Sequence, residues 1–221
     1  MTDRPMVPPA IGIVLVLLAV SAGIMAALWW KRRLVRRAWG EVARALGGAL
    51  DFRPGTRAMA VHGTYRGHTA FLGEGTSFED GVPYHHTRGA LSTRNPARVV
   101  MGLRRKSLLE EHLTRREENS VATGDPLFDR SFFLVASTPE HAQKLLPEEV
   151  RAVLTRWNDV EVYVKGGQIA WRRASRVRSA RDMMALFEAI AQMADVLAEL
   201  PPRELTPEEQ QEEERLIEHG I

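Results

Sequence analysis

The run from Ala10 to Trp30, AIGIVLVLLAVSAGIMAALWW, contains no charged residue. As a helix rising 1.5 Å per residue it would span roughly 30 Å, the hydrocarbon thickness of a bilayer. Gly12, Ser21 and Gly23 are compatible with that setting, because a helix satisfies its own backbone inside lipid. Pro5, Pro8 and Pro9 disfavour a helix start much before Val7. A core helix of a globular domain rarely runs so far without a polar face. A cleaved signal peptide would carry its basic residues ahead of a shorter apolar core and end on small residues. Here the basic cluster follows the run, which leaves through WWKRR. The sequence therefore predicts a transmembrane helix over residues 10–30 behind a short N-terminal tail, residues 1–9.

The flanks set its direction. Asp3 and Arg4 cancel on the N-terminal side, whereas Lys31, Arg32, Arg33, Arg36 and Arg37 follow the run. Basic residues favour the cytoplasmic side, and indoles such as Trp29 and Trp30 favour the interface. The expected placement is a single pass through a bacterial inner membrane, N-terminus out and the remainder cytoplasmic. These seven residues are the expected membrane-interface set, and the bilayer is the expected first partner.

The net charge of +2 is a cancellation between two ends. Residues 31–53 are basic, and Leu34, Ala38, Trp39, Val42, Ala45, Leu46 and Ala49 recur there at helical spacing. This reads as a basic juxtamembrane helix stopped near Gly47 and Gly48. It could lie on anionic lipid, but a topology signal leading into a helix packed on the domain explains it more simply. Residues 201–221 carry Glu204, Glu208, Glu209, Glu212, Glu213, Glu214 and Glu218 against Arg203 and Arg215. The low apolar content predicts a frayed helix or disorder. Such an acidic tail could act as a lid over the basic helix.

Between them, residues 54–200 read as one soluble α+β domain with a mainly antiparallel sheet and packed helices. Strands are expected at Ala58–Tyr65 and His68–Leu72 around an Arg66-Gly67 turn, then at Tyr84–Thr93 and Arg98–Leu103, giving a meander. The charged stretch Leu108–Ser120 is an excursion. Phe132–Ala136 is a further strand. Thr138-Pro139 opens a helix, and Pro147-Glu148-Glu149 repeats the device. Val160–Val164 and Gln168–Arg172 form a hairpin across Gly166-Gly167. Ser179 caps a last helix to about Leu200, with Met183, Leu186, Phe187, Ile190, Met193, Ala194 and Leu197 on its buried face.

No motif carries chemistry by itself. The absence of cysteine removes disulfides, thiolate catalysis and cysteine–zinc sites. His62, His68, His85, His86, His112, His141 and His219 show no metal-binding spacing, and neighbours on a strand such as His85 and His86 point to opposite faces. The glycines at 63, 67, 73 and 75 match no phosphate loop, and no GxSxG elbow occurs. No cofactor and no metal are therefore expected. The best loop candidate is Thr123–Asp129, with Gly124, Asp125, Phe128 and Asp129: its carboxylates could serve acid–base or cation chemistry, or the segment could be a turn with Phe128 plugging the core. Arg104-Arg105-Lys106 and Arg172-Arg173, with Arg176 and Arg178, are basic clusters with little aromatic interleaving beyond Trp171, so nucleic acid is not indicated.

The segments LGGALDF, HGTYRGHTAFL, TGDPLFDRSFFLVAS and LLPEEVRAVL, behind an apolar anchor, resemble a loose group of uncharacterised bacterial membrane-anchored proteins sharing G-x-Y-x-G-R and T-G-D-x-x-F-D. Gly63, Tyr65, Gly67, Gly124, Asp125, Phe128 and Asp129 match; His68 stands where a basic residue is usual. The resemblance implies a bacterial source and one domain behind an anchor, with no activity. The expected function is a membrane-anchored cytoplasmic module that binds a protein partner or forms a homo-oligomer. The alternative is an anchored enzyme of unrecognised type using Asp125 and Asp129 or the strand histidines.

Overall fold

The computed structural model describes residues 9–52, 59–79, 82–106, 120–157, 159–175, 177 and 179–204, with the backbone alone at 9–13, 15, 52, 77–79 and 82. The expectations for the N-terminal tail, most of the 108–120 excursion, the tail beyond Glu204, and Arg176, Arg178, His112 and His219 lie outside the described residues.

The first element is one helix, α1 (Pro9–Ala45). The apolar run and the basic stretch after it are thus continuous, with no hinge between Trp30 and Lys31. Among the described residues no helix is long and apolar enough to cross a membrane, so they do not by themselves establish the helix expected over 10–30. Ala38, Trp39, Val42 and Ala43 are buried at the far end of α1 and Leu46 just beyond it, whereas Leu34, Ala45 and Ala49 of the face expected from the sequence are exposed. Gly47 ends it at φ +57°. Residues 49–52 belong to a strand, which shortens the helix expected over 31–53.

The strands are β1 (Ala49–Phe52), β2 (Met59–Tyr65), β3 (His68–Glu79), β4 (Val82–Ser92), β5 (Met101–Arg105), β6 (Phe132–Ala136), β7 (Val160–Lys165) and β8 (Gln168–Arg173). They form one sheet in the order β1-β2-β3-β4-β8-β7-β5-β6, and every pair is antiparallel. The expected meander holds as far as β4. Beyond it the β7–β8 hairpin inserts between β4 and β5, so the third and fourth expected strands are not neighbours. The connection through Asn95-Pro96 crosses the end of that hairpin, where the Asn95 amide donates to the Gly166 carbonyl at 2.7 Å. Periodicity marks which residues of a strand face the core and says nothing of which strand lies beside it.

The helices after α1 are α2 (Pro126–Ser131), α3 (Pro139–Leu145), α4 (Glu148–Thr155) and α5 (Ala180–Glu199). The C-terminal half of α1, α3, α4 and α5 cover one face of the sheet. Every expected core residue of α5 is buried, and Trp171 meets Phe187 edge to face at 6.0 Å. The Ser179 hydroxyl caps α5 by accepting from the Asp182 amide at 3.3 Å. Two expected caps differ. Thr138 sits at the α3 cap position, yet its hydroxyl accepts from Arg203 at 2.6 Å instead of from the helix. Pro147 is itself the cap residue of α4 rather than its first helical residue.

Where α1 turns into the sheet, the two backbones nearly touch. The Leu46 carbonyl accepts from the Thr64 amide at 2.7 Å, and a methyl group on Gly63 would collide with that carbonyl. A methyl on Gly48 would collide with the His62 carbonyl in the same way. This crossing locks α1 to β2.

Candidate functional site

The Thr123–Asp129 loop is built as a rigid turn. Gly124 adopts φ +86°, a left-handed conformation that glycine takes without strain. One Asp125 carboxylate oxygen accepts from the Leu127 and Phe128 amides at 3.0 and 3.2 Å, capping α2 with Pro126 at its first position. Its other oxygen meets Arg151 Nε at 3.3 Å. The Phe128 amide, the Leu127 amide and Arg151 hold the Asp125 carboxyl below its ordinary value. Asp129 is engaged in turn. Its Oδ1 accepts from the Thr123 amide at 2.9 Å and the Thr123 hydroxyl at 2.8 Å, and its Oδ2 from the Gly124 amide at 3.2 Å. Phe128 is buried and stacks on Phe132 at 4.5 Å. Both carboxylates hold local backbone, which is the turn reading of this segment. Asp129→Ala is expected to destabilise the domain by about 2 kcal/mol in chemical denaturation, since a charge-assisted set of three hydrogen bonds is lost; an unchanged midpoint would contradict that role.

A second cluster joins the β2–β3 hairpin to α5. The Tyr65 hydroxyl donates to Glu188 Oε2 at 2.7 Å, and Arg66 reaches Glu188 and Asp195, each at 2.8 Å. His68 Nε2 lies 2.9 Å from Asp195 Oδ1. Burial first, then the hydrogen bond to Glu188, push the Tyr65 hydroxyl up to about 12. Glu188 and Asp195 escaped the sequence reading, although Glu188, Gln192 and Asp195 form a polar stripe at helical spacing opposite the apolar face of α5. That stripe was the available signal.

The strand histidines 62, 85 and 86 do not converge. His62 lies against Phe71 at 5.0 Å, His85 Nδ1 against the Thr76 hydroxyl at 3.1 Å, and His86 is buried on the opposite face of β4 from His85. Burial, followed by Arg172 and Arg88, lowers the His86 pKa. Among the described residues no group of three or more His, Cys, Asp or Glu could hold a metal.

The sheet face away from the helices carries a different chemistry. The register aligns Gly73, Arg88, Arg172, Glu161, Arg104 and Phe133 across six strands from β3 to β6. Arg172 pairs with Glu161 at 2.7 Å, and the Tyr163 hydroxyl donates to the same oxygen at 2.8 Å. Arg88 lies over Phe71 at 5.4 Å and Arg104 over Phe133 at 5.0 Å. The sequence clusters 104–106 and 172–173 are thereby split. Arg105 and Arg173 turn to the helical face, where Arg173 pairs with Asp159 at 2.6 Å and stacks on Trp157 at 4.0 Å.

The expected interface residues are Trp29, Trp30, Lys31, Arg32, Arg33, Arg36 and Arg37. All seven side chains on α1 are exposed, and Arg33 lies over the Trp29 ring at 5.2 Å. Among the described residues, eleven of the thirteen exposed large hydrophobic side chains lie on α1 between Val14 and Leu34; the others are Leu127 and Tyr163.

Helices on one face of an eight-stranded antiparallel sheet, entered by a long N-terminal helix, make this an α+β protein. The fold is similar to that in the crystal structure of the mycobacterial trehalose monomycolate transport factor A, TtfA. The TM-score is 0.50 at 18% identity, over 79% of this chain and 99% of that one. No protein-family model matches the chain, and no curated protein matches it significantly.

Proposed function

We propose that the apolar half of α1 anchors the chain in a bacterial inner membrane, N-terminus outside, and that the α+β domain is a non-enzymatic module binding a protein partner or a second copy at the cytoplasmic surface. One observation carries this reading. The same unbroken helix exposes large apolar side chains from Val14 to Leu34 and buries Ala38, Trp39, Val42 and Ala43 in the domain. A contiguous apolar surface of that extent is costly in water and marks contact with lipid or protein. The uncharged sequence from Ala10 to Trp30 is long enough to meet lipid on both leaflets.

The continuity of α1 adds a mechanical consequence. About 12 Å of helix separates Trp30 from Ala38. The domain would stand on a stiff post beside the headgroups rather than on a flexible tether. Lys31, Arg32, Arg33, Arg36 and Arg37 form the collar of that post, each worth about 1 kcal/mol near an anionic surface. Such a mount holds a binding surface at fixed height and orientation, which suits assembly beside another membrane protein. The protein of similar fold is a transport factor. An accessory role beside a membrane transport step is the form of this reading that we favour.

The test is purification of the full chain from membranes in mild detergent. A stoichiometric membrane-protein partner or a stable homo-oligomer is expected, surviving dilution. A monodisperse monomer with no retained partner, from several detergents, would overturn the module reading while leaving the anchor intact.

A further inference from the structure

We propose that the projecting end of the β3–β4 hairpin is a second membrane contact, resting in the lipid headgroup layer beside the basic collar of α1. This rests on the anchor reading above and adds a second point of support to it. Among the described residues, β2 pairs with β3 as far as Gly73, and β8 pairs with β4 as far as Thr87. Beyond them the hairpin continues for five more pairs, from Gly75–His86 to Glu79–Val82, with no third strand among the described residues. The result is a two-stranded ribbon that projects from one end of the sheet. The Thr76 hydroxyl and His85 Nδ1, 3.1 Å apart, tie its strands together.

α1 leaves the domain toward the same end. Its last turn lies over the other end of β2, where the Leu46 carbonyl accepts from the Thr64 amide at 2.7 Å. Only Leu46, Gly47 and Gly48 separate α1 from β1, which starts opposite His62 and ends opposite Met59. So short a link reverses the chain, and α1 packs back along β1 and β2, against the direction of β1. From Leu46 back to Ala38 the helix rises roughly 12 Å. From Gly63 back to Met59 the strand covers about 13 Å, so Ala38 stands level with Met59 and Glu74. Trp30 lies roughly 12 Å further on along the helix. The ribbon end at Glu79–Val82 lies about 17 Å further on along the strands. With Trp30 at the edge of the hydrocarbon, the ribbon end reaches the headgroup layer, which is roughly 5–7 Å deep.

The chemistry of that end suits the place. Its sequence holds Phe78, Val82, Pro83 and Tyr84, with the acidic Glu79 at the height of the Lys31–Arg37 collar. Pro83 is exposed and Tyr84 half-buried. Pro83 and His85 continue the face of β4 that buries Thr87 and Leu91, the face on which α1 lies. Aromatic residues favour the membrane–water interface. A second support would fix the rotation of the domain about the axis of α1, which a single post leaves free.

The chain has no cysteine, so Pro83→Cys takes a single fluorophore. The full chain is placed in nanodiscs whose lipids carry a nitroxide on the headgroup. The label at 83 should lose at least about half its emission to the nitroxide. A label at Lys165→Cys, on the β7–β8 turn at the opposite end of the sheet, should lose less than about a tenth. Should Pro83→Cys disturb the ribbon, Thr76→Cys, exposed on the paired strand, must give the same loss. Labels at 83 and 76 that behave like the one at 165 would overturn the proposal. Leu17→Cys, read against a nitroxide on the acyl chain, keeps the two readings apart. Quenching at 17 without quenching at 83 or 76 leaves the anchor standing and removes the second contact. No quenching at 17 removes both.

Discussion

Trp39→Ala is expected to destabilise the domain by about 4 kcal/mol, the scale of deleting a fully buried indole. Trp39 is completely buried, on the stretch of α1 that packs on α5 and β2. The indole fills the junction between the post and the core, and alanine leaves a cavity that a helix locked at the Leu46 crossing cannot close. For a domain of this size the loss corresponds to a melting temperature lower by roughly 8–16 °C. Trp30→Ala supplies the contrast. Its side chain is exposed on the same helix, nine residues earlier, and its loss should leave the melting temperature of the domain within about 1 °C. Thermal denaturation of both variants in one detergent reads the difference. Equal effects would mean that the two halves of α1 are not divided between an outer surface and the core.

Gly63→Val should cost at least about 3 kcal/mol, with a large fraction of the protein recovered unfolded. The collision is with the Leu46 carbonyl, a backbone atom already bonded to Thr64, so no side chain can yield to relieve it. Either α1 lifts off β2 or the Thr64 hydrogen bond breaks, and both open the core. Gly102→Ala is the control within the same sheet. A methyl there meets nothing within 4 Å, and the substitution should be neutral or stabilising by a few tenths of a kcal/mol. Urea midpoints of the two variants decide the matter, and similar values would remove the argument from close approach.

These two positions also show what could be read before the structure. Of the face marked by helical spacing, Ala38, Trp39, Val42 and Leu46 are buried, whereas Leu34, Ala45 and Ala49 are exposed, because only the end of α1 meets the sheet. The face of α5 was legible from its spacing, and the Gly166-Gly167 hairpin from its glycines. Gly63 and Tyr65 were visible as part of a pattern whose meaning lay in partners far along the chain. Tyr65 needs Glu188, and Gly63 needs Leu46. Nothing local in the sequence names those partners. The arginine row was hidden for a related reason. Arg88, Arg104 and Arg172 come from strands that become neighbours only because the β7–β8 hairpin inserts beside β4, and alternation along a strand does not encode strand order. The Thr123–Asp129 loop was open to two readings because turns and sites draw on the same residues; in the structure Asp125 caps α2 and Asp129 ties the amides of Thr123 and Gly124.

The central proposal is that α1 is one rod that would place its first half in lipid and its second half in the domain core. Alkaline carbonate extraction of membranes tests it directly, comparing the full chain with a variant carrying Val16→Glu, Val20→Glu and Ile24→Lys. The full chain should stay in the membrane pellet, and the variant should move to the supernatant with the melting transition of its domain unchanged. A full chain released by carbonate, or a variant whose domain unfolds along with its loss from the pellet, would contradict the division of the helix.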